Sequence, residues 1–154
     1  MTHEVPACPP ATASVRKFAV WWLRHKPFQV PMDEPIRFYS DFAGVTLFRD
    51  GPFQVQLFIT HPNRTSPWHA HPNIESVEYG ICGGTQSFFR TERNSQIAGL
   101  MMVDAGEFHE AGAGDIGGSF ISLQKWINGV QPSSVELDWV GAPIDANHLS
   151  QLKN

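Results

Sequence analysis

Two histidines separated by a single residue, His69 and His71, carry the strongest chemical signal in the sequence. Side chains two positions apart on a β-strand project to the same face of the strand. Two imidazoles placed in this way can bind one metal ion, at about 2.0–2.1 Å each in the case of zinc. Pro72 follows directly and cannot continue the hydrogen-bonded ladder of a central strand. The spacing therefore predicts a metal-binding strand that ends at His71.

A carboxylate at the start of the next strand would lie beside these imidazoles, and Glu75 and Glu78 are the two candidates. They are three residues apart, so they face opposite sides of one regular strand. An inward Glu75 brings an apolar set of side chains with it: Val77, Tyr79 and Ile81. An inward Glu78 brings a more polar set: Ser76, Gly80 and Cys82. Because burial of apolar side chains is stabilising, we favour Glu75 as the ligand and keep Glu78 open as a ligand or a neighbour of the ligands.

A third imidazole is expected from His109, three residues after Gly106. Glycine at that distance indicates a tight turn that leads into a strand starting near His109. Two glutamates flank His109, as they would flank a surface histidine on a polar hairpin, but the His69–His71 pair favours a metal-binding role. The other histidines lie in predicted loops or terminal segments and are not expected to bind metal: His3, His25, His61 and His148.

The elements that must position these residues are short and rich in β-branched and aromatic residues. In residues 53–60, apolar residues alternate with mostly polar ones, a pattern that predicts a strand with one buried face. Asp50-Gly51 before it indicates a hairpin turn. Further strands are predicted at 45–49, 76–82, 85–91, 98–104, 119–127 and 135–140. Many short strands with little helix predict an all-β sandwich or barrel.

The N-terminal segment has a different character. Ser14 is placed to cap a short helix, and Pro27 would end it. The apolar stripe of this segment is expected to pack on the flank of the barrel or on a partner subunit, although a strand over 18–23 and adsorption to an anionic membrane stay open. We therefore divide the chain into a tail with a short helix or strand (1–27), one barrel (28–145) and a C-terminal tail (146–154).

Composition and charge narrow the function classes. The 154 residues include five Trp and eleven Phe, with 17% charged residues and a net charge of −4. These values describe one folded globular domain and give no general electrostatic basis for binding nucleic acid. No apolar run approaches the roughly 20 residues that span a bilayer, and no signal peptide is evident. Cys8 and Cys82 provide no disulfide framework, so a cytoplasmic protein with reduced thiols is expected.

Two segments together resemble the paired motifs of the cupin superfamily. The first is His69-Ala-His71-Pro-Asn-Ile-Glu75, with Gly83 one residue later than in the family pattern, a spacing that aligns Ser76 with the ligand position. The second is Gly106-Glu-Phe-His109, where Asp104 replaces the family's proline and Ala113 its asparagine. The resemblance covers about residues 45–127. It implies a small single-domain cupin, with a double-stranded β-helix (jelly-roll) barrel and one divalent metal ion, held by His69, His71, His109 and a glutamate.

A mixed imidazole and carboxylate site suits Fe, Mn, Ni, Zn or Cu as the divalent ion. We expect a metal-dependent small-molecule enzyme, and among reaction types an oxidoreductase of the dioxygenase type. One alternative is an isomerase or lyase in which Glu75, Glu78 or Tyr79 carries protons; the other is a small-ligand-binding protein without catalysis. A homodimer is expected, with the aromatic N-terminal segment as a possible surface for it.

Overall fold

A computed structural model describes residues 6–25, 30–82, 87–93, 95–97 and 100–144. Helix α1 spans Val15–His25. Within these ranges eleven strands follow: β1 Arg37–Phe38, β2 Phe42–Asp50, β3 Phe53–Thr60, β4 His69–Ala70, β5 Ile74–Cys82, β6 Ser87–Thr91, β7 Ser95–Ile97, β8 Leu100–Val103, β9 His109–Ala113, β10 Gly118–Trp126 and β11 Val140–Gly141. The predicted all-β architecture is confirmed. No helix within the described ranges has the length and apolar character needed to cross a membrane.

The strands form two antiparallel sheets that enclose an interior between them. The six-stranded sheet has the order β1-β2-β3-β10-β5-β8, and the five-stranded sheet has the order β11-β4-β9-β6-β7. β10 lies between β3 and β5 although it follows both in the chain, which is the long-range pairing of a jelly roll. This exchange between distant segments brings residues 53–60, 74–82 and 118–126 side by side.

Strand β3 of the six-stranded sheet is buried on both faces over residues 53–56. Phe53 and Val55 of β3 point outward and pack under α1, while Gln54 and Gln56 point into the barrel, and all four are at most 1% exposed. The prediction that this strand has one buried face is therefore incomplete. The interior face carries a ladder of hydrogen-bonded polar side chains, and the apolar face is sealed by the helix.

Helix α1 forms where the sequence predicts it. Ser14 accepts a hydrogen bond on its Oγ from the backbone N–H of Lys17 at 3.1 Å, as an N-cap residue does. The apolar stripe packs on the flank of the barrel, one of the two predicted places, with Phe18 fully buried and Trp21 and Trp22 nearly so. These side chains are covered by the chain's own sheet, so they offer no surface for a homodimer, which stays a prediction.

One predicted element is wrong. Residues 135–140 were expected to form a strand, but Val135–Leu137 is a 3-10 helix and only Val140–Gly141 is extended. The segment does not form a continuous strand with a neighbouring strand, because hydrogen bonds of its side chains hold it in another conformation at the end of the barrel. Glu136 is held by Arg37 and Tyr39, and the carboxylate of Asp138 accepts hydrogen bonds from the backbone and side chain of Asn73 at 2.8 and 2.7 Å. We call residues 133–142 the closing segment.

Candidate metal centre

The three predicted histidines meet at one end of the barrel interior. His69 in β4 is the direct register partner of His109 in β9, and their ring centroids are 4.3 Å apart. His71 follows β4, and its ring lies 4.9 Å from that of His69 and 5.2 Å from that of His109. All three side chains are buried, and one ligand atom from each lies within 4.8 Å of the others. The structure thus brings the His69–His71 motif and the distant His109 together.

Each imidazole is fixed through its Nδ1 atom by a backbone carbonyl. The acceptors are Pro67 O for His69 at 2.5 Å, Asp138 O for His71 at 2.7 Å, and Glu107 O for His109 at 2.9 Å. A carbonyl can only accept, so each Nδ1 carries the proton and each Nε2 keeps a free lone pair. Outer contacts of this kind set the tautomer and ring direction of metal-binding histidines.

The turn before His109 forms as the sequence predicts. Gly106 has φ 78°, a left-handed conformation that glycine adopts without a Cβ penalty. Its N–H donates to the carbonyl of His71 at 2.9 Å, and the N–H of Glu107 donates to Asp104 O at 3.0 Å. The turn thus joins the second histidine segment to the first. Glu107 is turned away and forms an ion pair with Arg93.

The electrostatics of the site favour neutral imidazoles. Burial, together with the neighbouring His109 and His71, lowers the pKa of His69 to about 2. Burial also lowers the pKa of His109 to about 4 and lowers the pKa of His71. Three neutral, convergent nitrogen donors with no proton between them are the form that a divalent metal ion binds. The donor set therefore fits a metal such as iron, manganese, nickel, zinc or copper.

The histidines line a small cavity of about 50 Å³, measured as the space that the centre of a water molecule can reach. That space holds roughly three to five water molecules. Its walls are mostly aromatic and aliphatic, with a few hydroxyl groups and one carboxyl group. They are formed by Phe42, Phe58, Thr60, Ser66, Ile74, Ser76, Glu78, Phe89, Ala111, Phe120, Ser122, Val135 and Trp139 together with the histidines.

Glu78 is the carboxyl group that faces this cavity, and it is 6% exposed. Its Oε1 accepts hydrogen bonds from Ser76 and Ser122, each at 2.8 Å, whereas its Oε2 is buried without a partner. Burial raises the pKa of Glu78 to about 7, although the two hydroxyl groups oppose the shift. No carboxylate within the described part of the chain joins the close group of the three imidazoles.

Comparison with solved structures identifies the fold to which this architecture belongs. No protein-family model and no curated protein matches the chain. Among solved structures, KdgF from a Halomonas species matches with a TM-score of 0.55 and 10% identity, over 66% of this chain and 96% of that one. An RmlC-like cupin from Shewanella frigidimarina gives 0.52 and 15%, over 68% and 94%. The polyketide cyclase RemF from Streptomyces resistomycificus gives 0.51 and 16%, over 81% and 88%. The chain has the cupin fold.

Within this cupin barrel, the predicted facing of β5 is wrong. Glu78 and Ser76 point into the cavity, while Glu75 is only half-buried and does not line it. Tyr79 is 38% exposed and Ile81 is 45% exposed, so neither belongs to the interior. The physical reason is α1, since the outer face of β5 finds its apolar partners there: Val77, 1% exposed, packs in the cluster under the helix.

Trp139 is the site residue that the sequence did not predict. Its ring stacks on His69 with centroids 3.5 Å apart and an interplanar angle of 5°. Its indole N–H donates to Ala142 O at 2.7 Å, which holds the ring in place. β11 pairs with β4 so that Gly141 lies opposite His69. The closing segment thus covers the three histidines of the barrel, and no local motif marks it in the sequence.

Glu75→Gln is expected to leave the affinity for zinc unchanged within about twofold, as is usual for a substitution away from buried contacts. The side chain lies on the helix side of β5, where its register partner is Lys125. Isothermal titration of metal-free wild type and variant with zinc measures this. A drop of more than tenfold would mean that Glu75 reaches the ion and that β5 turns over in the loaded protein.

The metal-free protein is expected to lose stability as the pH falls from about 6.5 toward 4. In this window the unfolded chain binds protons at its histidines, while burial keeps His109 neutral down to about pH 4. The unfolded state therefore binds more protons and is favoured by up to about 1.4 kcal/mol per pH unit for each such histidine. Urea unfolding at a series of pH values measures the slope.

Glu78 acts in the opposite sense, because its raised pKa means that the folded state holds the extra proton between about pH 4.5 and 7. Its contribution is fully present below that window and is lost as the pH rises through 7. Glu78→Gln removes this opposing contribution, so the stability of the variant should rise more steeply from pH 4.5 to 6.5 than that of the wild type. Equal slopes would contradict the assignment.

Proposed function

We propose that the protein is a metal-dependent enzyme that acts on a small molecule bound between the three histidines and Glu78. The observation that supports this most directly is the set of three buried imidazoles, each fixed at Nδ1 by a carbonyl. Such a group does not stabilise a barrel interior. Burying three adjacent imidazole nitrogens without hydrogen-bond donors lowers the stability of the folded state. A bound metal ion compensates that cost.

For the reaction type we propose an oxidoreductase of the dioxygenase type. Three protein ligands leave two or three positions open on an ion that accepts five or six. A bound ion would supply a place where a chelating substrate and dioxygen meet. The chain's own contribution is to shape the space: Phe89 and Trp139 pack against the imidazoles, and Phe58 and Phe120 stack with centroids 5.4 Å apart. These walls bound a cavity that admits only a small molecule.

A second reaction class, isomerase or lyase, is favoured by Glu78. A buried carboxyl group with a pKa near 7 can take up or release a proton at neutral pH, as a general acid or base requires. Its free Oε2 is the atom that would carry that proton. The polyketide cyclase among the structural neighbours shares its fold with this chain, and at 16% identity that likeness carries no substrate over to this chain.

Metal analysis of protein purified without chelators tests the proposal, followed by oxygen uptake with a panel of small chelating acids and ketones. We expect close to one equivalent of metal per chain, its loss in His109→Ala, and oxygen consumption with at least one compound. Conversion of a compound without oxygen uptake would select the isomerase or lyase class. Binding without turnover would leave a ligand-binding protein, and an absence of metal would refute the proposal.

A further inference from the structure

The hydrogen bonds around Glu78 show which of its oxygens can carry a proton. Oε1 accepts from Ser76 Oγ and Ser122 Oγ, each at 2.8 Å. Oε2 has no partner and is shielded from solvent. The two oxygens of this carboxyl group therefore differ, since one accepts two hydrogen bonds and the other accepts none. The direction of the surrounding hydrogen bonds decides which oxygen carries the proton.

That direction is set by Trp126, whose indole nitrogen can only donate. It donates to Gln124 Oε1 at 3.1 Å, so the carboxamide of Gln124 must present its oxygen on this side. Gln54 Nε2 donates to the same oxygen at 2.9 Å, and the orientation of Gln54 is fixed in turn because Arg49 Nε donates to its Oε1. Two donor-only side chains therefore determine the polarity of the interior ladder.

The polarity passes from Gln124 to Glu78 through one hydroxyl group. The amide nitrogen of Gln124 donates to Ser122 Oγ at 3.1 Å, so that oxygen is used as an acceptor. The hydroxyl proton of Ser122 is then directed to Glu78 Oε1. Oε1 is the carbonyl-like oxygen, and a proton on Glu78 resides on Oε2. Burial raises the pKa of this group to about 7, which keeps the protonated form populated near neutral pH.

We propose that Glu78 acts as a neutral hydrogen-bond donor that recognises an oxygen of the substrate through Oε2–H, and that the substrate is a small carboxylate. This inference rests on the proposed function, because it places the ligand between Glu78 and the histidine-bound metal. A divalent cation with three neutral ligands attracts an anion. The negative charge of a carboxylate bound beside Glu78 offsets the charge of the ion and keeps Glu78 protonated, since a nearby like charge disfavours ionisation. Ser122 and Gln124 are positioning residues in this scheme.

Binding of acetate to the cobalt(II)-loaded protein tests this, because the visible spectrum of the ion reports a change in its ligands. Glu78→Gln keeps an N–H donor at the position of Oε2, and Glu78→Met removes it at similar size. We expect Glu78→Gln to bind acetate within about threefold of wild type and Glu78→Met to bind it roughly tenfold or more weakly, the loss of one hydrogen bond to a charged group. Chloride, which binds an ion as a single atom and has no second oxygen to accept a hydrogen bond from Oε2–H, should bind all three proteins equally.

Equal loss in Glu78→Gln and Glu78→Met would overturn the inference, because it would mean that the carboxylate itself is required. So would unchanged acetate affinity in Glu78→Met, or acetate that binds wild type no better than chloride does. Failure of the proposed function is seen separately, as wild type that binds no cobalt in the titration that precedes these measurements.

Infrared spectroscopy gives a second readout that does not depend on a metal. The metal-free wild type at mildly acidic pH should show the C=O stretch of a protonated carboxyl group that is absent in Glu78→Gln. Ser122→Ala removes one hydrogen bond from Oε1 and should move this band to higher frequency, whereas Glu75→Gln should leave it in place. If Ser122→Ala leaves the band unmoved, Oε1 is not the acceptor oxygen and the assignment of the proton to Oε2 is wrong.

Discussion

Replacing His69, His71 or His109 by alanine is expected to lower the affinity for zinc or cobalt by more than about 100-fold, since loss of an outer partner of a ligand alone costs 10–100-fold. Each residue supplies one of three convergent nitrogens, and no described carboxylate stands close enough to replace it. With two imidazoles left, the ion would keep only a chelate that solvent can compete with. The effect should be similar for all three because their ring centroids are mutually 4.3 to 5.2 Å apart.

Titration of metal-free proteins with the ion, followed calorimetrically, measures these affinities. His25→Ala is the matched control, since His25 lies in the last turn of α1, away from the cavity. It should bind as wild type does. If any one of the three site variants kept wild-type affinity, that histidine would not be a ligand and the shared metal centre would have to be redrawn around the other two.

Phe18→Ala should reduce the free energy of unfolding by about 3–5 kcal/mol, the usual cost of deleting a buried phenylalanine. Phe18 is fully buried, and its ring stacks on Phe53 with centroids 4.5 Å apart and an interplanar angle of 11°. The substitution opens a cavity between α1 and the six-stranded sheet. Because a domain of this kind is stabilised by only about 5–15 kcal/mol in total, much of its stability depends on this contact.

Val20→Ala is the control within the same helix, as Val20 is 50% exposed. It should change stability by no more than about 0.5 kcal/mol. Urea unfolding followed by tryptophan fluorescence measures both variants. If Phe18→Ala lowered the free energy of unfolding no more than Val20→Ala does, the contact between α1 and the sheet would not stabilise the protein, and the aromatic cluster around Phe18 would not be part of its core.

The sequence predicted the histidines well because their signals are local. The His69–His71 spacing and the turn glycine Gly106 each act within a few residues, and the fold only has to bring the two segments together. The choice between Glu75 and Glu78 failed for a non-local reason. Strand parity was correct, but the apolar face was assigned to the barrel interior, whereas α1 offers a second place to bury it.

The alternation of apolar and polar residues in β3 likewise failed to show which face of the strand points into the barrel. Gln54 and Gln56 look like solvent-facing residues, yet both are fully buried in a hydrogen-bonded ladder. Period-2 alternation shows that two faces differ, but it does not show which face points inward. The closing segment was beyond reach for another reason, since the bond from His71 to Asp138 O joins residues 67 positions apart and depends on the completed barrel.

The position of that bond along the chain orders events during synthesis. When residues up to Ala113 have left the ribosomal exit tunnel, all three histidines are outside it. The carbonyl group that sets the tautomer of His71 belongs to Asp138 and leaves the tunnel later. Trp139, which stacks on His69, comes with it. A nascent chain therefore passes through a stage in which all three histidines are present but the contacts from Asp138 and Trp139 that orient them are not yet formed. The three imidazoles are therefore expected to select their ion only after the closing segment has left the exit tunnel and packed against them.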